Sequence, residues 1–296
     1  MDQAETLRRM RPPRPDRPAA LETGTSRGLR PPRVICVTSG KGGVGKTNVA
    51  TNLAFALGKK GQRVLLLDAD LNLANIDVLL GLTPQFNLHD VFTGHKTLPE
   101  ILVEGPGGMR ILPASSGIME MADLTEDQRL YFMTEIESFD YTMDFLLIDT
   151  AAGINNNVIY FNLAALERIV VLSPEPTSLT DAYALIKVLS SRHGVKRFRI
   201  LVNSAQSEKE ALEVFRKLST VADRFLSSLS LDYLGYIPHD IRLPQAVRKQ
   251  RLVSELFPEA GSSRSFAELA GRLVEEEHAA RADGNIKFFW QGLFDL

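Results

Sequence analysis

The chain offers little cysteine chemistry. Its 296 residues hold one cysteine, Cys36, so no intrachain disulfide can form. Nor can a metal or iron–sulfur site be built from several cysteines of one chain. Cys36 lies inside an apolar run, where a buried structural thiol is expected. No apolar run reaches the roughly 18 residues of a membrane span. The basic N-terminus lacks the apolar stretch of a secretory signal, and a cytoplasmic protein is expected. Neither sign of charge dominates: 34 Lys and Arg stand against 36 Asp and Glu, a formal net charge of −2. The chain as a whole therefore has no broad attraction for nucleic acid.

What is present is unevenly spread. Residues 1–33 carry eight arginines against four acidic residues, a net of +4, and six of the fifteen prolines. Residues 11–32 read as an extended Pro/Arg-rich linker, too poor in apolar side chains to form a core. Residues 1–10 contain neither Pro nor Gly. There Asp2 could cap a helical turn carrying Ala4, Leu7 and Arg8, the alternative being a frayed terminus. At the other end, residues 278–285 read as a second linker. Residues 286–296 then place Ile286, Phe289, Trp290, Leu293 and Phe294 at i, i+3, i+4, i+7 and i+8. That is one apolar helical stripe, holding the only tryptophan. It either lies in a membrane interface or docks on the body of the monomer.

Between these ends, residues 33–277 alternate short apolar runs with helical patterns. The runs are RVICVT, RVLLLDAD, MRILPA, DFLLIDT, RIVVLS, RFRILVN and LDYLGYIP. Most are continuously apolar, as in strands covered on both faces. Helices are expected from Thr47 to a glycine stop at Gly61, over 125–139 behind a Thr125/Gln128 start, over 177–194, and over 207–226. This β–α alternation predicts an α/β fold: a doubly wound, mostly parallel sheet flanked by helices, with a disordered N-terminal tail and a C-terminal amphipathic helix.

The first run leads into SGKGGVGKTN. Gly40 to Thr47 fits G-x-x-x-x-G-K-[ST], between an expected strand and an expected helix. Backbone N–H groups of Gly40, Lys41, Gly42, Gly43, Val44 and Gly45 would wrap phosphates at a helix N-terminus. Lys46 would sit on the β- and γ-phosphates and Thr47 would ligate Mg²⁺. Asp68 and Asp70 end a second strand two residues apart, so both can face the ligand-binding end of the sheet.

The early lysine in KGGVGK makes this loop the deviant form, and here the sequence resembles the MinD/ParA family of P-loop ATPases. The resemblance implies ATP and Mg²⁺ as ligands, slow switch-type hydrolysis, and an ATP-sandwiched homodimer. Lys41 would cross to the partner's phosphates. Asp70 matches the acid that positions the attacking water, Asp68 a residue of the Mg²⁺ shell, and Asp149 in DFLLIDTAAG the Walker B acid. Asn72 stands where the family usually has Gly. Ala151 stands where Pro is common, implying a more mobile second switch loop. Asn203 and Pro238 match the adenine contacts.

Peripheral features resemble the flagellar-number regulators of the FlhG/FleN group. DQAETLR at residues 2–8 matches their N-terminal motif, through which Gln3, with Asp2, Leu7 and Arg8 beside it, would stimulate the GTPase FlhF. Asn48 resembles the same group. The resemblance further implies contacts with flagellar switch-complex proteins and a transcriptional activator, and peripheral attachment to the inner face of the membrane through residues 286–296. A MinD-type division-site ATPase, a ParA-type DNA-partition ATPase and a nucleotide-locked scaffold with little turnover remain alternatives. A ParA role would need a basic surface, for which 242–251 is the better candidate, although it also reads as a solvated helix face.

Overall fold

The computed structural model describes residues 32–70, 75–113, 135, 143–226 and 229–276. The expected motif residues Asp2, Gln3, Leu7 and Arg8, the stripe from Ile286 to Phe294, the helix over 125–139 apart from the helical Glu135, and Asn72 lie outside them. All seven expected strands form. They are β1 (Arg33–Ser39), β2 (Val64–Ala69), β4 (Arg110–Pro113), β5 (Phe145–Ala152), β6 (Glu167–Leu172), β7 (Arg197–Ala205) and β8 (Ser230–Pro238). A two-residue strand, β3 (Val103–Glu104), pairs antiparallel with β4, the one such pairing among the described residues. The sheet order is β3-β4-β2-β5-β1-β6-β7-β8.

The helices are α1 (Lys46–Lys59), α2 (Ile76–Leu80), α3 (Leu88–Phe92), α4 (Leu98–Ile101), α5 (Asn156–Ala164), α6 (Pro176–His193), α7 (Glu208–Phe225), α8 (Arg242–Arg248), α9 (Val253–Leu256) and α10 (Gly261–Glu275). Their ends have local causes. Asn155 and Ser207 cap α5 and α7 through Val158 N–H and Glu210 N–H. α6 stops at Gly194, whose φ of 72° is left-handed, with Arg192 and His193 at the negative end of the helix.

Alternation along each strand divides the core. Ile35 and Val37 of β1 face α1 and α10, whereas Val34 and Cys36 face the opposite layer with α3, α4 and α5. β6 and β7 pack their second face on α5, α6 and α7. Cys36 is fully buried and burial pushes its thiol far above the usual range, so it is the inert structural thiol expected. Helix α8 exposes Arg242 and Arg248 and buries Ala246, so it is a helix with a solvated basic face.

One ion-pair network closes the N-terminal end of the sheet. Buried Arg33 opens β1 and binds the Glu167 carboxylate at 2.6 and 2.7 Å. It also donates to the Leu273 carbonyl near the end of α10. Arg199 bridges Glu167 at 3.2 Å and Glu276 at 2.7 and 2.5 Å. The first residue of the sheet and the residue following α10 are thus tied to one corner.

Candidate nucleotide site

The loop between β1 and α1 is shaped by what touches it. A Cβ on Gly40 would lie 2.0 Å from the backbone oxygen of Asp181, so α6 can pack there only against glycine. Gly43 and Gly45 hold φ of 79° and 89°, left-handed values that other residues adopt at a cost. Asn203, buried at the end of β7, donates from Nδ2 to the Val44 carbonyl at 2.7 Å. It thereby braces the loop from below, a role the sequence reading did not assign. Gly40→Ala is expected to abolish saturable ATP binding at micromolar nucleotide, because the clash is with backbone and cannot be relieved by a rotamer change. Fluorescent-nucleotide titration checks this, and wild-type affinity would refute it.

The charged groups converge where β1, β2 and β5 end. Asp68 and Asp149 are direct neighbours in the β2–β5 register. Lys46 is buried, and its ammonium is pulled below its usual range by burial, opposed by the Asp149 and Asp70 charges. Asp149 is 1% exposed. Burial pushes its carboxyl up to about 7, against a Thr47 side-chain hydrogen bond that lowers it. Its Oδ1 has no hydrogen-bond partner among the described residues. A buried, uncompensated carboxylate oxygen beside a threonine hydroxyl fits a divalent cation. Among the described residues no three His, Cys, Asp or Glu side chains could hold a metal together. One carboxylate with one threonine hydroxyl is a donor set that suits Mg²⁺, which takes one or two protein ligands with phosphates and water.

Asp68 is placed differently from its neighbour. Its carboxylate accepts backbone N–H bonds from Asp70 at 3.3 Å and from Asn75 and Ile76 at 3.1 Å each. It therefore clamps both ends of the segment 70–76. Burial still pushes it up to about 6. Asp70 follows β2 on the same side and is half-buried. After Asp149, β5 runs on through Ala151 and Ala152, with Ala152 in register with Ser39, and Gly153 N–H donates to the Ser39 carbonyl at 2.9 Å.

Lys41 lies at the rim, with its side chain turned onto its own chain. Its Nζ donates to Glu175 at 2.5 Å and to Thr177 at 2.9 Å, at the start of α6. Neither partner was expected from sequence, since they lie 134 and 136 residues away. Asn203 and Pro238 come together at adjacent strand ends, where Ala205 pairs with Pro238. Ser204, at a left-handed φ of 61°, bonds His239 at 3.0 Å and links the two ends. Asn48, half-buried in the first turn of α1, accepts from Asn52 at 2.8 Å.

Residues 35–253 match the family model described as the CobQ/CobB/MinD/ParA nucleotide binding domain. The chain belongs to the MinD/ParA family. Within it, the similarity runs to the FleN/YlxH branch. The antiactivator FleN of Pseudomonas aeruginosa is 48% identical over 265 residues, 90% of this chain and 94% of that protein. The flagellum site-determining protein YlxH of Helicobacter pylori is 34% identical over 244 residues, 82% of each. Among solved structures of the family, the septum site-determining protein MinD of Pyrococcus horikoshii, complexed with Mg-ADP, superposes with a TM-score of 0.63. It shares 27% identity and covers 85% of this chain and 99% of that one.

Proposed function

We propose that this protein is an ATP-driven switch regulating flagellar number or placement. The observation that carries the reading is the nearly full-length match to a FleN, joined to a complete phosphate loop with its acids in place. ATP binds along Gly40–Thr47, with Asn48 in the first turn and the base near Asn203 and Pro238. Lys46 neutralises phosphate charge. Thr47 and Asp149, with Asp68 behind them, would hold Mg²⁺, which when bound polarises the phosphate oxygens. Asp70 orients the attacking water.

Two copies sandwich ATP in this reading, and Lys41 exchanges Glu175 for the partner's phosphates. Supplying this cation in trans makes assembly depend on ATP. The dimer attaches peripherally to the inner membrane face through Ile286, Phe289, Trp290, Leu293 and Phe294. Gln3, within DQAETLR, stimulates the GTPase FlhF. Switch-complex proteins and a flagellar transcriptional activator are further partners, the latter supported by the antiactivator name of the Pseudomonas relative.

The test uses the full chain with purified FlhF. GTP hydrolysis is expected to rise at least about tenfold on addition of the wild type and not with Gln3→Ala, consistent with a glutamine that orders water. ATP turnover by the two proteins should be equal. No stimulation by the wild type would return the task to the MinD-type and ParA-type alternatives.

A further inference from the structure

We infer that Asp68 is a positioning residue for the proposed ATP hydrolysis: its buried carboxylate holds backbone N–H groups that set where Asp70 stands. This rests on the reading of Asp70 as the group that orients the attacking water, and it names what holds Asp70 in place.

Two neighbouring carboxylates differ in what they hold. Asp68 and Asp149 are paired in register on β2 and β5, and both are buried, at 3% and 1% exposure. Asp149 Oδ1 has no hydrogen-bond partner among the described residues. Asp68 spends both oxygens on its own chain. Its Oδ1 accepts from Asp70 N–H at 3.3 Å, and its Oδ2 accepts from Asn75 N–H and Ile76 N–H at 3.1 Å each. A carboxylate has about four lone-pair sites, so only about one remains for a water of the metal shell. One acid is open to a cation, and the other is committed to backbone.

The bonds of Asp68 fall at two places. Asp70 lies two residues on, so the Oδ1 bond closes an Asx-type turn where the chain leaves β2. Asn75 and Ile76 open α2, and the Asn75 side chain makes no cap of its own. Asp68 supplies the missing cap, accepting N–H groups that have no partner within the helix. Bonds to an ionised acceptor are about twice as strong as neutral ones, and burial keeps water from competing for them.

The other end of α2 is tied separately. Gln250, at a left-handed φ of 52°, donates from Nε2 to the Val78 carbonyl at 2.9 Å. Losing the Asp68 bonds therefore frees Asp70 and the start of α2 while the body of the helix stays attached. Reaction geometry is sensitive to such freedom, since a misplacement of about 1 Å can cost about 100-fold in rate.

The experiment compares wild type, Asp68→Asn, Asp70→Ala and the double variant as full chains. Asparagine matches aspartate in size, but its amide nitrogen is a donor set against N–H groups. Single-turnover hydrolysis of Mg·ATP by Asp68→Asn should fall about 10- to 100-fold. Mg·ADP affinity and the Mg²⁺ midpoint should stay within about threefold, because no phosphate or metal ligand is removed. Amide hydrogen exchange at Asp70, Asn75 and Ile76 should quicken while β2 stays protected. In the Asp70→Ala background the asparagine should cost nothing further, as expected of a residue that acts through another. A merely structural role would slow both backgrounds alike, and equal costs overturn the inference. So does a rise of about tenfold or more in the Mg²⁺ midpoint, the scale for losing a residue of the outer metal shell. If Asp70→Ala hydrolyses ATP as fast as wild type, the reading of Asp70 falls and the inference with it. If Asp68→Asn fails to bind Mg·ADP, Asp68→Ala carries the same comparisons, since it removes the bonds without opposing the N–H groups with a donor.

Discussion

Asp70→Ala is expected to lower ATP turnover at least about 100-fold while Mg·ATP affinity stays within about threefold, the scale for losing a group that positions or deprotonates a nucleophile. Two features separate the effects. Phosphate binding is assigned in the proposal to the loop from Gly40 to Thr47, which is braced by Asn203 and packed on α6. Asp70 contributes charge at the rim of that site, close enough to affect Lys46. In the proposed mechanism its loss removes an acceptor for the attacking water without removing a phosphate ligand. The trapped ATP state should then accumulate as dimer, visible by light scattering behind size exclusion. Single-turnover hydrolysis and nucleotide titration give the two numbers. Unchanged turnover would favour the nucleotide-locked scaffold, and lost affinity would make Asp70 a binding residue.

Most of the fold and the centre of the site are legible in sequence because they are local. RVICVT, the glycine loop and the helix after it are consecutive, so apolar content, left-handed glycines and a helix start identify strand, turn and helix together. The same holds for Asp68, Asp70 and Asp149, each at the end of an apolar run. Illegible features depend on residues far apart. Nothing near Lys41 points to Glu175, and nothing near Arg33 points to Glu276. Asn203 can be placed at a strand end, but its hydrogen bond to Val44 spans 159 positions. β3 is two residues long and leaves no periodic signal. β5 persists two residues past the apolar run DFLLIDT because Ala152 pairs with Ser39, a partner 113 positions away that the local sequence does not indicate.

Asp149→Asn is expected to make the nucleotide-free protein more stable at pH 8 and at the same time to abolish Mg²⁺-dependent turnover. The carboxyl lies between β1 and β2, paired in register with Val37 and Asp68, and is shut off from water. Its pKa rises from 3.8 to about 7, chiefly through burial. The native state thus holds the proton more tightly than the unfolded state. Stability from this group is present in full below about pH 4 and is lost as pH climbs through about 7, where the native carboxyl ionises. Asparagine keeps the shape and carries no charge, so this loss disappears. A gain of about 4–8 °C in melting temperature is expected at pH 8, shrinking toward zero near pH 4. For the wild type, the same ionisation makes Mg·ADP affinity rise between pH 6 and 8, since a cation stabilises the charged form. In the variant that rise should vanish, and turnover should fall at least about 100-fold. A variant less stable than wild type at pH 8 would mean that the carboxylate is already satisfied without metal. Asp149 would then serve the fold rather than the cation.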